Sequence, residues 1–281
     1  MKLNQTKSHG LFTNGMPNRD TRLASKIKGI LEKGGGWAGG WFGGIADHAI
    51  SHALYSWYVD QDLAAAKQWF YVAAKCIAIS TTKPVGFATL WTCHDFMFPL
   101  LSDNPEMIAL YATLSPPGAD EKPSFAEKCQ NPKEGEFQSY LVQTAIKGDD
   151  GKLQALIDLL QSKGLKKSAI HHPYIQFYTG LINGNIAEME TALEFLGKFK
   201  SQIPTTEDFL SFHAVVLCKL AWLRGYEVQV DSPLVPMAFM PVAPLAHYDD
   251  VYEFLKPGWQ APPPPSAQIE KKGFFAKLLG R

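Results

Sequence analysis

The 281-residue sequence predicts an all-α fold of stacked antiparallel helical hairpins, tetratricopeptide-like in character, closed by a proline-rich C-terminal wrap. Three observations carry that expectation. Apolar residues recur at the 3.6-residue period in the long stretches from Ile45 onwards, Gly and Pro punctuate the connections between them, and no segment shows the sustained alternation of a half-buried strand.

Taken in order, residues 1–21 read as a loose basic arm, and RLASKIKGILEK (22–33) as a helix with Leu23, Ile27, Ile30 and Leu31 on one face. The run GGGWAGGWFGG, with seven glycines in eleven residues, then reads as a hinge or close-approach loop with Trp37, Trp41 and Phe42 folded onto the body. It lacks the spacing of either phosphate-binding glycine motif. From Ile45, two apolar stripes separated by Asp60-Gln61-Asp62 must pack as an antiparallel hairpin. Further helices are expected over Val85–Phe98, Pro105–Thr113, Glu136–Lys147 and Lys152–Lys163.

Tyr174–Pro204 reads as another hairpin, turning at Asn183-Gly184-Asn185. Gly180, Ala192, Leu196 and Pro204 stand where a tetratricopeptide unit places small, crossing and closing residues, although Gln176 and Thr179 depart from it. A long helix is expected over Glu207–Arg224, with Gly225 as its C-terminal stop and Arg224 complementing its last carbonyls. Five prolines between Pro233 and Pro257 forbid long helices, so that stretch should wrap across the body and end in a short helix around Asp249–Leu255. The organisation expected is thus one α-helical domain over 22–260, followed over 261–281 by a polyproline spacer and a short amphipathic basic tail. The tail reads as an accessory terminal helix, with weak membrane-surface association as the other reading.

Composition narrows the function classes. With 46% hydrophobic and 19% charged residues the chain is globular, and nowhere do 18 consecutive apolar residues occur, so no membrane span is expected. The N-terminal residues contain no apolar signal core, which places the protein in the cytoplasm. Cys76, Cys93, Cys129 and Cys218 are widely separated and read as reduced, buried thiols. The 27 basic and 27 acidic residues are unevenly spread: 1–33 carries seven basic against two acidic, 266–281 four against one, and the middle 16 against 24. Such an acidic body repels nucleic acid and attracts a basic protein partner.

The candidate chemistry is thin. His48 and His52 share a helix face near Asp47 and could ligate one metal ion, but Ala49 stands where a zinc-protease glutamate belongs. Cys93-His94-Asp95 has the residue types of a thiol-protease triad in a consecutive order that cannot converge. His171-His172 reads as a helix-entry feature, Asp149-Asp150 as a turn, and His213 and Cys218 as core. No catalytic residue, metal or other cofactor is expected.

Three features resemble a known family: Lys67-Gln68-Trp69-Phe70 with Ala73-Ala74 in the first hairpin, the late helix ending LAWLRGYEVQVDSPLVP, and the closing Tyr252–Leu255. Over about residues 45–256 the chain is similar to the immunity protein 49 family of bacterial polymorphic toxin systems. The resemblance implies a helical cytoplasmic protein, encoded beside a toxin gene, that neutralises the toxin by steric occlusion and carries no catalytic residues. The alternatives are a tetratricopeptide-like adaptor for peptides or client proteins, and a metal-dependent hydrolase built on His48 and His52. For toxin contact the candidates are the acids of the lysine- and arginine-free stretch 225–255, namely Glu227, Asp231, Asp249, Asp250 and Glu253, with Trp37 and Trp41 next.

Overall fold

The computed structural model describes residues 22–32, 38–82, 90, 92–116, 123–164, 168–200 and 205–260. Among them the secondary structure is helical, with no strand. The N-terminal arm, Trp37, Pro204 and everything after 260 lie outside the described residues.

Helix α1 (22–32) packs on α2 (Ala38–Tyr58), and the glycine run explains how. The expected hinge is half wrong, since from Ala38 the run is already helical and Trp41 and Phe42 sit in the first turns of α2. Small residues let the two helices close in: a Cβ on Gly29 would stand 3.0 Å from the Trp41 ring, and one on Gly44 would collide with Lys26. Phe42 is buried and meets Phe254 edge-on at 5.4 Å.

Helix α3 (Leu63–Thr81) runs back against α2 as the short turn requires. Asp62 caps it by accepting from Ala65 N–H at 2.9 Å, while Gln61, at φ 57°, donates its side-chain amide to Trp57 O at 2.7 Å. Of the helix expected over Val85–Phe98, residues 85–89 and 91 lie outside the described residues, and the described remainder is not one continuous helix. Leu90 has φ 51°, Thr92 opens a 3₁₀ turn at Cys93–Phe96, and α4 spans only Met97–Ser102. Every residue of α4 is buried.

At Asp103 the chain turns through φ 57° to end α4, and Asn104 caps α5 (Pro105–Tyr111) by accepting from Met107 N–H at 2.8 Å. A short α6 (Phe125–Lys128), missed from sequence, carries a reciprocal Ser124–Glu127 cap. Helices α7 (Glu136–Lys147) and α8 (Asp150–Lys163) follow as expected, with Asp149 capping α8.

Helices α9 (His171–Asn183) and α10 (Ile186–Leu196) form the second predicted hairpin. They cross where Gly180 leaves room, since a Cβ there would meet Asn185 O at 3.0 Å and Met189 Cγ at 3.1 Å. Helix α11 is Phe212–Leu223, five residues shorter at its start than expected. The reason is Ser211, whose N–H donates to Leu234 O and whose hydroxyl donates to Leu196 O, so it joins neighbouring segments and leaves the preceding residues in a turn. Nine of the twelve α11 residues are buried, making it the central helix of the core.

Gly225 stops α11 at φ 85°, and no heavy atom lies within 4 Å of where a Cβ would stand. Gly225→Ala should therefore cost only the left-handed backbone strain of about 1 kcal/mol, read as a lower urea midpoint. Arg224, expected to serve the carbonyls of its own helix, instead pairs with Asp150 at 2.9 and 3.0 Å, joining α11 to the start of α8.

Candidate functional site

Two places gather polar side chains: a buried cluster beneath α11 and the irregular C-terminal strap above it. In the first, Tyr174 of α9 lies 2.7 Å through its hydroxyl from His213 Nδ1 and 3.1 Å from Cys93 Sγ. Cys93 Sγ is 3.9 Å from the same ring nitrogen. These residues are separated by 81 and 120 positions, a proximity that spacing along the chain could not reveal. His94 approaches Asp95 at 3.4 Å instead of closing a triad with its neighbour Cys93.

The chemistry of this cluster is quiet. Burial pushes the Cys93 thiol up to about 12, beyond the help of the Tyr174 hydrogen bond, so it stays protonated at neutral pH. Burial, followed by the nearby His94, pulls His213 down to about 4 and keeps it neutral. Cys76, Cys129 and Cys218 are likewise free and buried, with burial raising each thiol. His48 and His52 lie 4.4 Å apart between ring centres, and His52 stacks on Trp69 at 4.5 Å and 19°. Among the described residues no three His, Cys, Asp or Glu side chains converge as metal ligands.

The second place is built on a buried ionic hub. Asp103, whose side chain is 0% exposed, faces Lys67 at 2.7 Å and Lys219 at 2.5 Å, the two lysines being 4% and 0% exposed. The left-handed turn at Asp103 aims its carboxylate inward between α3 and α11. Both ammonium groups then reach the strap. Lys219 donates to Phe239 O, Met240 O and Pro241 O at 2.7, 3.1 and 3.1 Å, while Lys67 donates to Ala243 O at 2.7 Å. Ala243 N–H returns a bond to Asp103 Oδ2 at 3.3 Å.

Further along, Tyr248 accepts from Leu245 N–H at 3.0 Å and donates to Ser102 O at 2.6 Å. Gln68 takes both backbone groups of Asp249, accepting from its N–H at 2.9 Å and donating to its carbonyl at 2.8 Å, as a neighbouring strand would. An irregular backbone cannot satisfy itself, and here side chains from α3, α11 and the α4–α5 junction do so.

The contact candidates distribute unevenly over this surface. Glu227 and Asp231 are exposed, the latter lining a shallow groove with Glu194, Lys198 and Leu234. Asp249 is exposed and 2.9 Å from His247. Asp250 is half-buried, accepting from Tyr71 at 2.8 Å and pairing with Lys75 at 2.6 Å. Glu253 pairs with Lys256 at 2.7 Å. Thus the stretch without lysine or arginine of its own borrows cations from α3 and from just beyond its end. Trp41 is half-buried against α1, away from this set in sequence and committed to helix packing.

Fold and site together define a helical protein whose buried charges secure an externally displayed strap and whose cysteine thiols are held protonated. The chain belongs to the immunity protein 49 family, whose family model matches residues 60–239. The match is narrower than the resemblance read from the sequence: residues 45–59 and the closing Tyr252–Leu255 fall outside it. No curated protein and no solved structure matches the chain. Among the described residues no helix is long and apolar enough to cross a membrane.

Proposed function

We propose that this chain is a cytoplasmic immunity protein that binds one cognate bacterial toxin, encoded nearby, and neutralises it by occlusion without catalysis of its own. Family membership over residues 60–239 is the observation that carries this reading. The protonated, buried Cys93 and the neutral His213 support the absence of nucleophilic chemistry. In this reading residues 22–260 act as one helical body, and the toxin meets the C-terminal side, where Glu227, Asp231 and Asp249 are exposed. Asp250 and Glu253 have their charge balanced within the chain by Lys75 and Lys256, while Trp37 and Trp41 mark the next region.

Co-production of the toxin encoded beside this gene should arrest growth, and adding this chain should restore it. Arrest that persists despite abundant folded chain would refute the immunity reading. Within that reading, changing Glu227, Asp231 and Asp249 together to serine should slow toxin association by roughly tenfold at low salt and flatten its salt dependence. Thermal stability should hold, because exposed acids contribute little to it.

A further inference from the structure

Between two buried ends the strap has no core of its own. Phe239 and Met240 are buried at one end, Phe254 and Leu255 at the other, and none of residues 241–253 is. Among the described residues no backbone-to-backbone hydrogen bond involves 241–251. The stretch is held instead by side chains of the helical body. Consecutive Lys67 and Gln68 on α3 take Ala243 O and both backbone groups of Asp249. Consecutive Ser102 and Asp103, where α4 ends, take the Tyr248 hydroxyl and the Ala243 N–H. Lys219 of α11 takes Pro241 O, and further along the Lys67 face of α3, Tyr71 and Lys75 hold the Asp250 carboxylate.

We infer that residues 241–253 form a latched lid that opens as one unit, hinged at its two buried ends, while the helical body stays folded. Magnitudes favour this partition. When the lid lifts, each anchor exchanges a hydrogen bond to protein for one to water at a small net loss, whereas releasing Phe239, Met240, Phe254 or Leu255 would expose a whole apolar side chain. Cooperativity follows from where the anchors stand. The paired Lys67 and Asp103 grip Ala243 from both sides, and their chain neighbours Gln68 and Ser102 grip Asp249 and Tyr248. The run from 243 to 249 is thus a loop closed on one rigid base, and Pro244 stiffens it from within. Lifting either end displaces the other. Opening uncovers the face of α3 that carries Lys67, Tyr71 and Lys75 and brings Lys67, 4% exposed when closed, into water, while Lys219 keeps its bonds to Phe239 O and Met240 O. The surface displayed here therefore has two forms within one fold, independent of the identity of any partner.

Native-state hydrogen exchange of the full chain, read amide by amide by NMR, tests this. The amides of Ala243, Leu245 and Asp249, bonded to Asp103, Tyr248 and Gln68, should exchange through one shared opening that low urea leaves unchanged, because it exposes little apolar surface. Amides of α11 such as those of Val216 and Leu217 should be better protected and should accelerate with urea. Gln68→Ala and Tyr248→Phe, both at half-buried side chains, then report whether the anchors act together. An amide that loses its own partner exchanges faster in any case, so Gln68→Ala is read at Ala243 and Leu245, and Tyr248→Phe at Ala243 and Asp249. Each variant should speed its two reporter amides by a common factor of about tenfold. Acceleration confined to the amide that lost its partner would overturn the inference, because the anchors would then be independent. So would a urea dependence at Ala243 and Leu245 as steep as in α11, which would mean that the strap lifts only when the body unfolds. Exchange of these amides at the rate of an unstructured chain would overturn it too, since no latch would then hold the strap.

Discussion

Asp103→Asn is expected to lower the unfolding free energy by about 3–5 kcal/mol, the usual loss when one member of a buried ionic cluster is removed. Asparagine keeps the shape of the side chain and tolerates the left-handed backbone at φ 57°, so charge is the main thing changed. Without the carboxylate, Lys67 and Lys219 would stand as two buried ammonium groups, 4% and 0% exposed, with only carbonyl oxygens for company. Burial already draws the Lys219 pKa below its ordinary value, and Asp103 is the first influence opposing that. The substitution should therefore also drive Lys219 towards its neutral form.

Two controls isolate the charge. Lys219→Met alone should destabilise strongly, because it frees the carbonyls of 239–241 as well as one side of Asp103. Asp103→Asn with Lys219→Met should lose clearly less than the sum of the single losses, since each removes the other's unpaired partner. Urea unfolding gives all three values. A loss under about 1 kcal/mol for Asp103→Asn would show that water reaches the hub in solution. Hydrogen exchange adds a local readout: the Ala243 amide, which donates to Asp103 Oδ2, should lose protection first.

The same residues show what a sequence can and cannot disclose. Helix positions were legible because they depend on local period and local stops: Asp62 and Asn185 announce α3 and α10, and Gly184 and Gly225 end α9 and α11. The glycine run misled because seven glycines without context indicate freedom, and only the approach of α1 shows that Gly29 and Gly44 are spaces for another helix. In the sequence Lys67 stands only as part of the family-like motif, and neither Lys219 nor Asp103 is singled out. Nothing local marks three charges 36 and 116 positions apart as one buried cluster, so the feature that secures the strap was invisible. A faint signal did exist, because Lys219 sits in the strongly apolar run FHAVVLCKLAWL, where a charge must find a partner. Gln68, noticed within a family-like motif, likewise acquires a physical role only when Asp249 is seen lying across it.

Acidification should destabilise the protein through His213 before most carboxylates titrate. Its folded pKa, near 4, lies below the ordinary value of 6.5, so the unfolded chain binds a proton that the folded chain refuses. The sign follows directly: this contribution is fully present above pH 6.5, declines as pH falls through that value, and levels off below about 4. Integrated over the window it amounts to roughly 3 kcal/mol, of which about 2 kcal/mol is lost by pH 5. Geometry gives the cause. Protonation would place a cation beside the buried Cys93 thiol and Tyr174 hydroxyl, with His94 close by and, among the described residues, no carboxylate hydrogen-bonded to the ring. Urea midpoints measured from pH 7.5 to 5 should fall in the unaltered chain. In His213→Gln, which removes the titrating group and keeps a polar side chain towards Tyr174, the curve should be flatter over that range even if its starting stability is lower. Parallel curves for the two proteins would assign the acid sensitivity to other groups and show that His213 titrates freely in the folded chain.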